Sequence, residues 1–251
     1  MADSGSLFVS IENKMATVTF GHPASNSFPG NLLRKMTKEL NALSENSDVN
    51  VVILQSEGPT FCAGASFDEL LSIKNLTSGK NFFSGFADVI NAMRKCSKII
   101  IGKIQGKAVG GGVGLISACD IAFAYQDASV KLSEIAIGIG PFVIEPAVSR
   151  KIGKTAMAEM TLQPTIWQSA EWAKEKGLYS DIFDSQAEVN DAVKHLAEKF
   201  ASYNPDALAA MKKVFWEGTE HWDKLLYERA AISGKLVLSE FTKEALSQFK
   251  K

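Results

Sequence analysis

The stretch GKAVGGGVGLISACDIAFA, residues 106–124, places three consecutive glycines inside an apolar run, at 110–112, with a fourth at Gly114. A small-residue helix is predicted near GLISAC, directly after the glycines. A second glycine-containing loop, FCAGASFDEL (61–70), follows another predicted strand. Glycine lets a backbone approach a ligand closely and present its N–H groups. Two such groups that meet at the start of a helix would form an oxyanion hole, and two tight turns are the simpler alternative.

Hydrophobic periodicity predicts an α/β portion up to about residue 150 and a helical portion after it. The predicted strands are LFVSIEN, MATVTFG, VNVVILQS, SKIIIGKIQGKAV, DIAFA and SVKLSE, with a hairpin turn around Asn13 and Lys14. The predicted helices before residue 150 are NLLRKMTKELNAL, FDELLSI and FFSGFADVINAMRKC. From about Lys154 onward, helical patterns dominate.

Composition excludes several classes of protein. The 251 residues are 46% hydrophobic and 22% charged, which is enough for a sizeable core. Lys and Arg number 27 against 28 Asp and Glu, so there is no basic footprint for nucleic acid. Lys103 and Lys107 break the longest apolar run, so no membrane span is expected. The N-terminus MADSGSLF lacks the features of a signal peptide, and we expect a cytoplasmic protein.

The cysteines and histidines do not indicate a metal site. Cys62, Cys96 and Cys119 follow no CxxC spacing, and the simplest interpretation is three buried thiols in a reducing compartment. The three histidines, at positions 22, 195 and 221, are too scattered for a metal cluster or a Ser-His-Asp set.

Common phosphate and nucleophile motifs are also absent. GxxxxGK[ST] fails because Ala108 stands where Ser or Thr is needed, and GxGxxG fails because position 115 is Leu. No GxSxG nucleophile elbow occurs.

Three motifs, FCAGASFDEL, QGKAVGGGVGLISACDIAFA and LSEIAIGIGP, together resemble the crotonase (enoyl-CoA hydratase/isomerase) superfamily in order and spacing. The resemblance implies an α/β fold, with a crotonase-like spiral of ββα units over residues 1–195. A C-terminal all-helical trimerisation region would follow over residues 196–251. It also implies an enzyme that acts on an acyl-CoA thioester and assembles as a homotrimer or homohexamer. No separate cofactor is expected, because coenzyme A is part of the substrate.

The resemblance also implies which residues bind the thioester. The two backbone N–H groups that receive its oxygen map to Ala65 and Gly111. The surrounding loop residues are expected to bind substrate or coenzyme A, and they are Cys62, Ala63, Gly64, Ala65, Ser66, Phe67, Gly110, Gly111 and Gly112. Losing one oxyanion donor typically raises the barrier by about 3–4 kcal/mol.

Hydratases of this family commonly use two glutamates, and only one is present here. The second matches Glu134 in KLSEI, whereas the first falls at Gly114, 20 positions earlier. Three alternatives follow from the resemblance. Glu134 alone could move a proton between C2 and C4 of an enoyl-CoA. Water addition could persist with another acid, for which Glu145 is a candidate and Asp68 and Glu69 are weaker ones. The chain could also bind acyl-CoA without turnover.

GGGVGL and PFVIEPAVSRKIG are similar to bacterial methylglutaconyl-CoA hydratase-like members of the family. The resemblance therefore favours hydration or dehydration of a short, straight or branched enoyl-CoA, with isomerisation from 3-enoyl-CoA to 2-enoyl-CoA as the alternative. A glutaconyl carboxylate would need a cationic partner, and the sequence identifies none. A ClpP-like serine peptidase, which has a related fold, is disfavoured because no Ser/His pair is evident.

Overall fold

The computed structural model describes residues 5–248. Its strands are β1 (Ser6–Glu12), β2 (Met15–Gly21), β3 (Val51–Ser56), β4 (Ile99–Ile104), β5 (Ala108–Val109), β6 (Ile121–Tyr125), β7 (Ser129–Lys131), β8 (Gln168–Ser169) and β9 (Asp181–Phe183). Its first five helices are α1 (Gly30–Glu45), α2 (Phe67–Ser72), α3 (Leu76–Lys95), α4 (Gly111–Ala118) and α5 (Glu145–Leu162). The others are α6 (Ala170–Glu175), α7 (Gln186–Ser202), α8 (Pro205–Phe215), α9 (Trp222–Leu236) and α10 (Glu240–Gln248), and a 3₁₀ helix spans Glu134–Ile137.

The larger sheet has the strand order β1-β2-β3-β4-β6-β9. β1 and β2 are antiparallel, and the other neighbouring pairs are parallel. The predicted hairpin is confirmed: Asn13 and Lys14 have φ values of 50° and 63°, the left-handed conformation that a tight turn between twisted strands requires. Helices and parallel strands thus alternate from β2 to β6.

The predicted single strand SKIIIGKIQGKAV is wrong, because it forms two strands in different sheets. β4 belongs to the larger sheet, whereas β5 pairs with β7 in a small sheet of order β5-β7-β8. Beyond Ile104 the chain leaves the larger sheet and forms backbone hydrogen bonds with the glycine-containing loop 61–70. The Lys107 carbonyl accepts the N–H groups of Phe61 and Cys62 at 3.0 and 3.2 Å.

The expectation of a purely helical portion after about residue 150 is also wrong. β9 adds to the larger sheet beside β6, and β8 pairs with β7. Strands of two or three residues are too short to show a period of two, which is why the sequence pattern missed them. The predicted boundary between residues 195 and 196 falls inside α7, whose Val189, Val193 and Ala197 pack on the larger sheet. That boundary stays a prediction.

Helices α9 and α10 pack back onto the same chain. α9 lies along α3. α10 lies against the 3₁₀ helix and α2, with Phe241 and Thr242 next to Gly138. The C-terminal helices therefore pack against α2, α3 and the 3₁₀ helix of the same chain.

Helix α8 is fixed to the core by polar contacts. The buried Lys212 ammonium lies 2.8 Å from the Asp120 carboxylate and donates to the Lys98 carbonyl. One turn later, Trp216 Nε1 donates to the same Asp120 at 2.9 Å. The apolar residues of α8 face away from the core: Met211 is 46%, Val214 51% and Phe215 53% exposed.

The state of the cysteines and the character of the helices agree with the sequence analysis for the described residues. Cys62, Cys96 and Cys119 are all buried and form no disulfide, as the sequence predicted. Within residues 5–248, no helix has the length and apolar character that crossing a membrane demands.

Candidate active site

The two glycine loops lie side by side because backbone hydrogen bonds join them. Val109 N–H donates to the Cys62 carbonyl at 2.9 Å, and Cys62 and Ala108 form a parallel bridge. On the other side of the first loop, Phe28 N–H donates to the Gly64 carbonyl at 2.7 Å. The loops therefore form one continuous surface, although the bonded residues Cys62 and Val109 are 47 positions apart in sequence.

Gly64 sets the spacing between the loops. Its φ is +86°, a conformation that side chains disfavour. A Cβ at this position would lie 2.9 Å from the Val109 carbonyl oxygen and 3.6 Å from Gly111 N. Only glycine lets the first loop reach the start of α4.

The Ala65 and Gly111 amides are the two predicted oxyanion donors. Neither N–H donates to another group within residues 5–248. Gly111 begins α4, and Gly110 before it has φ 53° and ψ −117°, a combination suited to glycine. The amide of Gly111 therefore carries the partial positive charge of a helix N-terminus, which favours negative charge on a nearby oxygen.

A cavity of about 80 Å³ opens beside these amides. Of the predicted substrate-binding residues, Ala63, Gly64, Ala65, Phe67, Gly110 and Gly111 line it. The other three, Cys62, Ser66 and Gly112, support the loops instead. Burial raises the pKa of the Cys62 thiol to about 12, and Ser66 Oγ accepts the Glu69 N–H at the start of α2. Gly112 packs against Cys62.

Glu134 reaches the same cavity from the small sheet. β5 and β7 are parallel, so the C-terminal ends of both strands lie at the same edge of the small sheet. Gly110 follows the end of β5 there, and the residues after Lys131 follow the end of β7. Gly110 N–H donates to the Lys131 carbonyl at 2.9 Å, which fixes the two segments. A Cβ on Gly110 would lie 2.7 Å from Glu134 Oε1. The carboxylate therefore rests directly on the glycine backbone at the start of α4.

The Glu134 carboxylate has an environment suited to a base near neutral pH. Its Oε2 atom is buried and has no hydrogen-bond partner within residues 5–248. Burial, opposed weakly by its own backbone N–H, raises the pKa of Glu134 to about 7. Among the described residues that line the cavity, Glu134 is the only one with an ionisable side chain.

The position of the missing glutamate is filled by a neighbouring side chain. A Cβ on Gly114 would lie 2.4 Å from Ile144 Cγ2 and 2.8 Å from Ile144 Cβ. Ile144 is buried and lines the cavity. An apolar side chain therefore covers Gly114, and no larger residue fits there without displacing it.

Glu145, the predicted second acid, is not brought together with Glu134. It does not line the cavity, and its carboxylate pairs with Arg229 of α9 and accepts Ser149 Oγ–H. Partial burial alone would raise the pKa of Glu145, but these hydrogen bonds and the charges of Arg229 and Lys154 lower it below its ordinary value. A carboxylate held ionised in this way is a poor proton donor.

The two weaker acid candidates also lie outside the cavity lining. Glu69 Oε2 accepts the N–H of Gly30 at 2.8 Å, so this carboxylate stabilises the start of α1. Asp68 is exposed in the first turn of α2. Neither carboxylate is available beside Glu134.

Residues 10–250 match the family model for enoyl-CoA hydratase/isomerase. The chain belongs to this family. It is 31% identical to the peroxisomal Delta(3,5)-Delta(2,4)-dienoyl-CoA isomerase of Arabidopsis thaliana, over 73% of this chain and 70% of that protein. Identity to the mitochondrial methylglutaconyl-CoA hydratase of Mus musculus is 31%, over 78% of this chain and 63% of that protein.

The crystal structure of enoyl-CoA hydratase from Bacillus halodurans has the same architecture. The TM-score is 0.88 at 21% identity, over 96% of this chain and 99% of that chain. The predicted α/β crotonase fold is therefore confirmed, as is the prediction of an acyl-CoA enzyme of the hydratase/isomerase family.

Several residues that line the cavity were not identified from the sequence. Phe83 and Phe86 come from α3, Ile144 from the turn before α5, and Ser233 from α9. Each lies in an ordinary apolar or helical stretch, so no local pattern distinguishes it from a core residue. Ile144 could have been suspected only from the glycine that it covers.

The contact between Gly114 and Ile144 predicts coupled stability effects. Gly114→Ala should lower the free energy of unfolding by about 1–3 kcal/mol through overpacking, despite better helix propensity. In Gly114→Ala/Ile144→Ala, the methyl group enters the space that Ile144 leaves. Urea denaturation of both single variants and the double variant should give a coupling of at least about 0.5 kcal/mol. Additive effects within about 0.3 kcal/mol would mean that the two side chains do not compete for space.

Proposed function

We propose that this chain is an enoyl-CoA isomerase that moves the double bond of an acyl-CoA thioester from C3–C4 to C2–C3. Glu134 is its only proton carrier, and the amides of Ala65 and Gly111 bind the thioester oxygen. The observation that carries this proposal is the replacement of the usual first glutamate by Gly114 with Ile144 packed over it. One carboxylate suffices for a proton shuttle, whereas water addition commonly uses two.

The first step is proton removal from C2. Glu134 takes the proton, and the C2–H electron pair moves into the thioester to form an enolate. The negative charge on the thioester oxygen is stabilised by the two amides and the N-terminus of α4. These donors are fixed before the reaction begins, so little reorganisation opposes the step.

The second step returns the same proton at C4. The enolate electrons form the C2–C3 double bond, the C3–C4 double bond opens, and the protonated Glu134 donates to C4. A pKa of about 7 suits both halves, because the carboxyl group must accept and release a proton with similar ease.

Hydration is the second candidate function, and the sequence analysis favoured it for a methylglutaconyl-type substrate. The 31% identity to the mouse methylglutaconyl-CoA hydratase supports it. Against it stand the position of Glu145 outside the cavity and the apolar cover on Gly114. Non-catalytic acyl-CoA binding remains the third alternative, and the cytoplasmic location stays a prediction.

We also propose that the chain assembles as a homotrimer or a homohexamer. The outward face of α8 supports this, because Met211, Val214 and Phe215 expose about half of their surface on one helix whose other side is fixed by Lys212. Contiguous apolar patches of this kind commonly mark protein–protein contacts.

Substitution of the proposed base tests the chemistry. Glu134→Gln should lower kcat for 3-hexenoyl-CoA isomerisation by about 10²–10⁴-fold, the usual loss for a general base, while acyl-CoA still binds. The matched control is Glu145→Gln, which should leave isomerisation nearly intact. The activity of each variant is measured as the rate of conversion of 3-hexenoyl-CoA to 2-hexenoyl-CoA. Unchanged turnover in Glu134→Gln would contradict the assignment. Binding without turnover in the wild type would support the third alternative.

The pH dependence tests the state of Glu134. The base must be ionised, and its pKa is raised to about 7, so kcat/KM should rise with pH and level off above about 8. The Glu145→Gln variant should show the same midpoint, because the pKa of Glu145 lies below its ordinary value. A midpoint near 4.5, the ordinary value of a glutamate, would show that Glu134 is solvated or is not the base.

Charge on the outward face of α8 tests the assembly. Met211→Asp/Phe215→Asp should convert a trimer or hexamer into monomers in size-exclusion chromatography with light scattering, because carboxylates would be buried without partners. The control is Phe8→Asp/Ile11→Asp, which places the same two charges on exposed residues of β1. A wild-type monomer at micromolar concentration, or an intact oligomer in the double variant, would contradict the proposal.

A further inference from the structure

The cavity beyond Glu134 is bounded by apolar side chains from three parts of the chain. Phe83 and Phe86 come from α3, Ile137 and Ile139 from the 3₁₀ helix and the residue after its cap, and Phe142 and Ile144 from the segment before α5. Most of these side chains are buried. A hydrocarbon chain placed here loses contact with water and gains dispersion contacts with closely packed neighbours.

The described residues that line this cavity supply no positive charge. Their side chains include no Lys, Arg or His, and the single ionisable group is the acidic Glu134. The polar side chains that remain are the hydroxyl groups of Ser133 and Ser233. A serine offers one hydrogen bond and no charge, so a carboxylate in the cavity would stay largely uncompensated.

Arg229 contacts the outer side of the cavity wall, but its charge is already used. Its Nη1 atom lies 3.4 Å from the Phe142 carbonyl oxygen, and the guanidinium pairs with Glu145. Arg229 is not among the residues that line the cavity. A distal carboxylate of the substrate would have to displace Glu145 to reach it.

The negative charge of Glu134 would also repel a distal carboxylate of the substrate. A second carboxylate in the same cavity would disfavour the ionised form of Glu134, which the reaction needs. A dicarboxylic acyl group would therefore bind weakly and would also weaken the base.

We propose that the site takes enoyl-CoA thioesters whose acyl chain is an uncharged hydrocarbon and rejects acyl chains with a distal carboxylate. This selectivity is a property of the cavity wall formed by the two phenylalanines of α3 and the segment 139–144. It replaces the methylglutaconyl-type substrate that the sequence favoured. The inference rests on the proposed function, since it concerns the substrate of the same site.

The test compares two unreactive ligands of equal chain length. Hexanoyl-CoA and adipyl-CoA are saturated six-carbon thioesters, and the second carries a distal carboxylate. Isothermal titration of the wild-type protein should show hexanoyl-CoA binding at least about 100-fold more tightly than adipyl-CoA. Free coenzyme A provides the baseline without an acyl group. Equal binding of both ligands, tighter binding of adipyl-CoA, or hexanoyl-CoA no tighter than free coenzyme A would overturn the inference.

A substitution in the cavity wall tests whether charge in the cavity decides the preference between the two ligands. Phe142→Lys introduces a cation at the wall and should narrow the difference between the two ligands by at least about tenfold. The matched control is Phe142→Met, which is unbranched and uncharged and should keep the wild-type preference. An unchanged preference in Phe142→Lys, with hexanoyl-CoA still bound, would show that charge in the cavity does not decide selectivity.

Failure of this inference and failure of the proposed function give different results. The binding comparison uses ligands without a double bond, so it does not depend on isomerisation. If 3-hexenoyl-CoA is not isomerised but hexanoyl-CoA is still preferred, only the proposed reaction fails. If isomerisation occurs but adipyl-CoA binds equally well, only the acyl selectivity fails.

Discussion

The contact between the Glu134 carboxylate and the backbone of Gly110 ties the small sheet to the start of α4. It depends on the parallel pairing of β5 and β7, which ends at Val109 and Lys131, just before Gly110 on one segment and Glu134 on the other. Because Gly110 has no side chain, the carboxylate reaches the helix N-terminus and is shielded from water. Burial then raises its pKa to about 7. The packing of Glu134 against Gly110 therefore sets both the position of the carboxylate and its raised pKa.

The same arrangement explains how one family fold can support different reactions. The amides of Ala65 and Gly111 belong to the backbone, so they persist whatever side chains surround the cavity. In the proposed mechanism, the acid/base chemistry depends on single positions such as 114 and 134. Ile144 covers Gly114, so the proposal keeps the enolate chemistry and leaves water without a carboxylate partner at position 114. A change of reaction therefore requires little change of fold.

Much of the fold and the two loops of the candidate site could be predicted from sequence, because those features are local. The hairpin at Asn13 and Lys14, the main helices and the two glycine loops follow from short patterns. The division of β4 from β5 and the placement of β9 could not be predicted, since both are decided by long-range pairing. The ion pair of Glu145 with Arg229 of α9 likewise depends on a helix 84 residues away.

Isotope transfer shows directly whether one carboxyl group carries the proton from C2 to C4. 3-Hexenoyl-CoA with two deuterium atoms at C2 is incubated with the protein in ordinary water, and the product is analysed by mass spectrometry. If Glu134 carries the proton, a measurable fraction of the 2-hexenoyl-CoA retains both deuterium atoms, one of them moved to C4. Loss of one deuterium atom from every product molecule, or a 3-hydroxyacyl-CoA as the main product, would contradict the transfer by one carboxyl group.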